Sequence, residues 1–192
     1  MSIEALPGDL QQVISALAAN EENAQKAMAG LSPAQLNWQP RGGKAWSILQ
    51  CLEHLSLGHA KYLDSMWPVL RASNPAKYPR RGEFSPGILG RMFLATLEPP
   101  PKLKAPAPAP IQPASNGKPV EVIAAWLGSH ASIREFARVA APYNLADLTM
   151  RNPFVPLVSV SLGTALQILV THDRRHVWQA GEVRKALDAA GV

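Results

Sequence analysis

One cysteine, Cys51, stands among 192 residues. A disulfide within the chain is therefore excluded, and a reducing compartment fits this usage. Charged side chains are also sparse, 17% of the sequence against 47% apolar. That balance excludes the low-hydrophobicity, high-charge composition of disordered chains and leaves a globular one. Long hydrophobic runs are missing. The longest tract, FVPLVSVSLGTALQILV at residues 154–170, is interrupted by a proline, a glycine and several hydroxyls, too short and broken to cross a bilayer. No basic residue precedes an apolar run in the opening MSIEALPGDLQQ, so no signal peptide is expected. These absences predict a cytoplasmic protein with no membrane partner. The length suffices for a real core, and a single domain over residues 1–192 is expected.

What is present begins with charge. The net charge is +5, and its distribution is uneven. Arg71, Lys77, Arg80, Arg81, Arg91, Lys102 and Lys104 face only Glu83 and Glu98 between positions 71 and 104, so this segment holds the whole excess. A basic surface attracts nucleic acid or other anions. No helix-turn-helix, zinc-finger or aromatic RNA-binding signature accompanies it. The segment is read as solvated, and no nucleic-acid partner is expected.

Periodicity predicts four long helices. In the first, residues 10–31, Leu10, Val13, Leu17, Ala24 and Met28 recur at helical steps; Asp9 is the expected N-cap and Gly30 the stop. Ser32 and Gln35 form a capping-box pattern with Pro33 at the first helical position, so a short turn follows, ended by Pro40 and the Gly42-Gly43 pair. The second helix, about residues 45–71, places Ile48, Leu52, Leu55, His59, Tyr62, Leu63 and Met66 on one face. Pro68 is expected to kink or end it. Residues 74–119 change character: eight prolines fall from Pro99 to Pro119, which favours an extended, polyproline-like crossover. Within it, ILGRMFLATL has the composition of a short helix. The third helix is expected at 119–140, an irregular or briefly extended stretch after Pro142, and the fourth helix at about 161–189. Four long helices with one long connection indicate an all-α four-helix bundle.

The fourth helix carries the chemistry. In THDRRHVWQ, residues 171–179, His172 and His176 are one turn apart and point the same way. Such a pair can grip one ion, and neutral imidazole is the commonest metal ligand; two hydrogen-bonded core histidines are the plain alternative. Asp173 projects toward the apolar stripe, where a carboxylate needs a partner. It either orients a ligand histidine or pairs with an arginine. Gln179, one turn past His176, is placed to hydrogen-bond a ligand or a substrate. A third ligand must come from another helix. His54 and His59 on the second helix point about 140° apart, so both cannot face one ion, and periodicity picks His59. His130 reads as an ordinary polar or partly buried histidine, and Cys51 as a buried, inert thiol.

Three passages together resemble the DinB-like superfamily of bacterial helical-bundle proteins, the damage-inducible family. They are LSPAQLNWQP at 31–40, AWSILQCLEHL at 45–55 and THDRRHVWQ at 171–179. The resemblance covers most of the chain except the proline-rich crossover. It implies a four-helix bundle of up-down-down-up topology, with the long crossover between the second and third long helices. It also implies one divalent metal ion held by His54, eight residues after Trp46, with His172 and His176. On that reading His54 replaces His59, which stays the runner-up. Three imidazoles leave an open coordination position, as in catalytic zinc sites; zinc, nickel and iron all accept such ligands. Members of the similar family include transferases that use bacillithiol or mycothiol, and a thiol-dependent isomerase. The implied activity is therefore transfer of a low-molecular-weight thiol cosubstrate to a small molecule, or metal-assisted hydrolysis. Asp173 and Gln179 are the candidate catalytic or orienting residues, and Arg174 or Arg175 either attracts an acidic cosubstrate or faces solvent. A non-catalytic metal- or ligand-binding stress protein is the alternative. The bundle faces and tryptophans also suit a homodimer.

Overall fold

The computed structural model describes residues 6–101, 106–114, 116–155 and 157–191. Lys102 and Lys104 of the basic segment, and residues 1–5 of the N-terminal reading, lie outside the described residues. The chain is all-α in class, with 65% of it helical and a small two-stranded sheet. In chain order the elements are α1 (Gly8–Met28), α2 (Pro33–Leu36), α3 (Pro40–Gly43), α4 (Ile48–Arg71), α5 (Ile88–Leu97), α6 (Pro119–Ala140), β1 (Thr149–Arg151), β2 (Ser159–Ser161) and α7 (Leu162–Ala190). The four expected long helices are α1, α4, α6 and α7. ILGRMFLATL forms α5, and β1 pairs antiparallel with β2 so that Met150 faces Val160.

Caps explain most of the helix starts. Ser32 and Gln35 close a capping box ahead of α2. The same device opens α4: the Ser47 side chain accepts from the Gln50 backbone N–H, and the Gln50 side chain accepts from the Ser47 N–H. Ser161 caps α7 through the Thr164 N–H, and Gly191 ends that helix in the left-handed region at φ 66°. Pro68 lies inside α4, which ends at Arg71, the expected bound. One expectation changes. Asp9 is not the N-cap of α1; Pro7 holds that position without a side-chain bond. Asp9 instead takes both its oxygens to Arg80 Nη1, at 3.0 and 3.1 Å, and accepts the Phe84 N–H at 3.0 Å. Ion pairing with the crossover outweighs the local cap.

The core falls into two apolar clusters, and the order in which each helix visits them gives the topology. One cluster gathers Leu10, Val13 and Leu17 of α1, Tyr62 and Met66 of α4, Ile133 and Phe136 of α6, and Leu162, Leu166 and Leu169 of α7. The other gathers Ala24 and Ala27 of α1, Ile48, Leu52 and Leu55 of α4, Val122 and Trp126 of α6, and Val177, Ala180 and Val183 of α7. Helices α1 and α7 run from the first cluster to the second, while α4 and α6 run the other way. This is the up-down-down-up order that the resemblance implies.

The crossover between α4 and α6 is pinned at several points and does not hang as a free linker. Tyr78 O accepts from Asn144 N, and Arg80 N donates to Pro142 O. The Phe84 ring lies where a side chain on Gly163 would have to sit, so only glycine admits this contact at the start of α7. Helix α5 packs on α7. Farther on, a 3-10 turn at Ala109–Ile111 and the residues after it lie along α4: Gln50 Nε2 donates to Ala114 O at 3.0 Å, and the Ala114 N–H reaches Glu53 Oε2 at 2.9 Å.

Candidate metal centre

Helix α4 delivers His54 to the second apolar cluster, and α7 delivers His172 and His176 on consecutive turns. The three rings converge. His54 and His172 have centroids 5.0 Å apart, His54 and His176 4.6 Å, and His172 and His176 4.6 Å. Each ring offers a nitrogen, and these nitrogens all lie within 4.8 Å of one another. His54 Nε2 and His172 Nε2 are 3.3 Å apart. Two nitrogens bound at about 2.0–2.1 Å to one tetrahedral zinc ion stand about 3.3 Å apart, so the spacing suits a shared divalent cation.

The outer hydrogen bonds orient the inner nitrogens. His54 Nδ1 lies 2.8 Å from the Ile111 carbonyl, which can only accept. His54 therefore donates from Nδ1 and keeps a lone pair on Nε2. His176 Nδ1 lies 3.0 Å from Gln179 Oε1; the amide oxygen accepts, and His176 Nε2 is left free in the same way. Such partners fix the tautomer and raise ligand basicity in metal sites. Trp46 closes one side, with its ring 4.8 Å from His54 and 5.7 Å from His176.

Electrostatics keep the rings neutral. Burial pushes the His54 pKa below its ordinary value; the Ile111 bond opposes this, and the Arg175 charge adds to it. His172 lies well below, first through burial and then through repulsion from His54, His59 and Arg175. His176 is lowered likewise by burial, His172, His54 and Arg175, against the Gln179 bond. Three neutral imidazoles present lone pairs, the state that a metal ion requires. The residues therefore fit a divalent ion.

Other sequence expectations are corrected here. His59 does not join this cluster. It is fully buried against α6, with Nδ1 2.8 Å from Ser129 Oγ. His130 is not partly exposed: it too is fully buried, beside His59 at 5.5 Å between centroids. Asp173 pairs with neither a ligand histidine nor an arginine among the described residues. It faces His59 Nε2 at 3.5 Å and His130 Nε2 at 2.5 Å, and accepts from Trp126 Nε1 at 3.2 Å. Burial raises its pKa, but His59, His130 and Trp126 outweigh that and hold the carboxyl below its ordinary value. Burial also pushes the Cys51 thiol up, consistent with an inert cysteine. Arg174 pairs with Glu98 at 2.6 Å on the surface, and Arg175 Nη1 donates to Thr96 O at 3.0 Å. The Ile111 carbonyl was not foreseeable: a backbone acceptor in a proline-rich segment leaves no mark in side-chain spacing. The sequence marks Trp46 only through its spacing of eight residues before His54, which does not indicate a wall beside the site.

No curated protein and no solved structure matches the chain. A family profile described as the DinB superfamily matches residues 16–180, a span that includes all three converging histidines, the whole of α4 and α7 as far as Ala180. On that match, over a bundle of this topology, the chain belongs to the DinB superfamily.

Proposed function

We propose that the chain is a metal-dependent enzyme acting on small molecules, and that its chemistry is transfer of a low-molecular-weight thiol to an electrophilic carbon. The observation that carries this reading is the convergence of three neutral imidazoles, two with lone pairs set by outer hydrogen bonds. Three protein ligands are one fewer than a closed structural zinc site uses. A divalent ion held there supplies positive charge that favours a thiolate over a thiol near neutral pH.

The chain's own residues do the rest. His54, His172 and His176 would hold the ion, the first two through Nε2 atoms already 3.3 Å apart. Gln179 and the Ile111 carbonyl keep the rings aimed. His172 keeps some solvent exposure where His54 and His176 are buried. Arg175, whose charge bears on all three rings, favours an anionic cosubstrate. In the reaction a C–S bond forms, the bond to the leaving group breaks, and the thiol proton leaves with that group or to solvent.

The test has two parts. Zinc bound per chain is measured by elemental analysis for the wild type and for His176→Ala. The variant is expected to hold one ion fewer, and equal content in the two proteins defeats the site. Metal-loaded wild type is then assayed with glutathione, cysteine, bacillithiol and mycothiol against a chloronitroarene. Thioether formation that His176→Ala abolishes supports the enzyme. No transfer with any thiol removes the transferase reading and leaves a metal-binding protein without this activity.

A further inference from the structure

Between the two apolar clusters lies a single polar layer, and each long helix contributes to it once. Asn20 comes from α1, His59 from α4, His130 from α6 and Asp173 from α7. All four are buried, and the last three show no solvent exposure. Such a layer needs its polar groups satisfied, and here the donors run out.

The tautomers follow from the outer partners. Ser129 Oγ donates to the Trp126 carbonyl at 2.6 Å, so toward His59 Nδ1 it acts as acceptor. His130 Nδ1 lies 2.8 Å from Glu21 Oε1, which also accepts from Arg134 Nη2 at 2.8 Å. Both histidines thus spend their Nδ1 protons outward. Both Nε2 atoms turn inward toward Asp173, and neither has a hydrogen-bond partner of adequate geometry. The approach of His130 Nε2 to Asp173 Oδ2 is close but badly directed. Trp126 Nε1 and Asn20 Nδ2 donate to the carboxylate; among the described residues nothing donates to the two nitrogens. Two lone pairs and a carboxylate converge.

We propose that His59, His130 and Asp173 form a second, fully buried site for a divalent ion of the zinc class, distinct from the cluster of His54, His172 and His176. Their ligand atoms all lie within 4.8 Å of one another. Two imidazoles and one carboxylate are a zinc-type donor set, and the carboxylate offsets part of the ion's charge in a dry layer. Seating the ion opens the 2.5 Å contact between His130 and Asp173 to the ~3.3 Å that ligand atoms around a tetrahedral ion keep. Any proton held between those atoms is released to solvent. The ligands come from α4, α6 and α7, so the ion ties three rods at one level; Asp173 turns Oδ1 toward His59 and Oδ2 toward His130, so its two oxygens complete the four donors of a closed structural site. This inference does not depend on the catalytic reading of the other cluster.

The experiment counts zinc per folded chain in the full-length protein after zinc loading and dialysis. It compares wild type, His176→Ala, His130→Gln and the double variant, with circular dichroism to confirm helix. Wild type is expected to hold two ions, each single variant one and the double variant none. If His130→Gln does not fold, His59→Gln replaces it, and the count for folded His176→Ala decides alone. One ion retained in His176→Ala supports the buried site, even if wild type also holds only one; that result would sink the three-histidine cluster instead. A folded His176→Ala protein with no zinc overturns the proposal.

Discussion

Two histidines five positions apart on α4 show what a sequence can and cannot rank. Periodicity selects His59 because it sits mid-stripe, yet His54 is the residue that meets His172 and His176. The reason is that α4 packs on both α6 and α7, so its buried face is wider than a single stripe. His54 turns to α7, while His59 meets Ser129 of α6 and Asp173 of α7. The motif spacing from Trp46 selects the histidine that converges with His172 and His176, where the hydrophobic pattern selects the other. Burial of His59 also has a measurable consequence. Burial pushes its pKa down to about 4, opposed by Asp173 and helped by His130 and His54. In the unfolded chain an imidazole titrates near pH 6.5. Between these values the unfolded state binds more protons, so stability rises with pH. The contribution is fully present above pH ~6.5 and is lost as pH falls toward about 4. The shift corresponds to about 3 kcal/mol. Chelator-treated protein should show a urea midpoint that falls between pH 7 and pH 4, and His59→Gln should flatten that fall. An equally steep fall in the variant would assign the acid sensitivity to other groups.

Among the elements, those with caps and strong periodicity were legible to within a few residues. The α6 bounds and the capping box of α2 are as the sequence indicates. The apolar pattern continues through AW at 45–46 and so predicts too early a start for α4. The structure starts the helix after Ser47, whose side chain and Gln50 form the box. Asp9 misled for a different reason: a cap is a local choice, and a distant arginine, Arg80, offered the carboxylate more than a backbone N–H could. The α4 box is more than a terminator. Gln50 Oε1 accepts from Ser47 N and from Gln39 Nε2 at 2.8 Å, while its Nε2 holds Ala114 O. The cap therefore joins the α3–α4 turn to the crossover. Ser47→Ala should cost about 1 kcal/mol, seen as a melting temperature lower by roughly 2–4 °C for a chain of this size. An unchanged melting temperature would mean that Gln50 alone sets the helix start.

For the whole molecule, the sequence indicated the four long helices and the existence of a long crossover, but not that Pro40 opens the short α3 instead of ending a turn, nor the crossover's purpose. Proline content predicted an extended spacer. The structure instead shows it fastened along its path: Arg80 on Asp9, Thr96 and Glu98 on Arg175 and Arg174 of α7, and Ile111 and Ala114 on α4. Contacts between residues so far apart in the chain leave no periodic trace, which is why they could not be read beforehand. The consequence for the site is direct. His54 is aimed by the Ile111 carbonyl, and that carbonyl is held in place three residues later, where Ala114 N donates to Glu53 Oε2 and Ala114 O accepts from Gln50. Glu53 touches none of the three histidines among its described hydrogen bonds, yet it anchors the strap that orients one of them. Replacing Glu53 with alanine removes one of the two bonds on Ala114 and lets the Ile111 carbonyl drift from His54 Nδ1. Loss of an outer partner of a ligand histidine lowers metal affinity by about 10–100-fold. A partly exposed glutamate on a helix surface, by contrast, changes global stability by about 0.5 kcal/mol or less. Glu53→Ala should therefore weaken the zinc that His176→Ala removes by about tenfold in a competitive chelator titration, with the melting temperature of the metal-free protein nearly unchanged. If affinity holds while Glu53 is gone, the crossover merely covers the bundle, and His54 keeps its aim through packing against Trp46 alone.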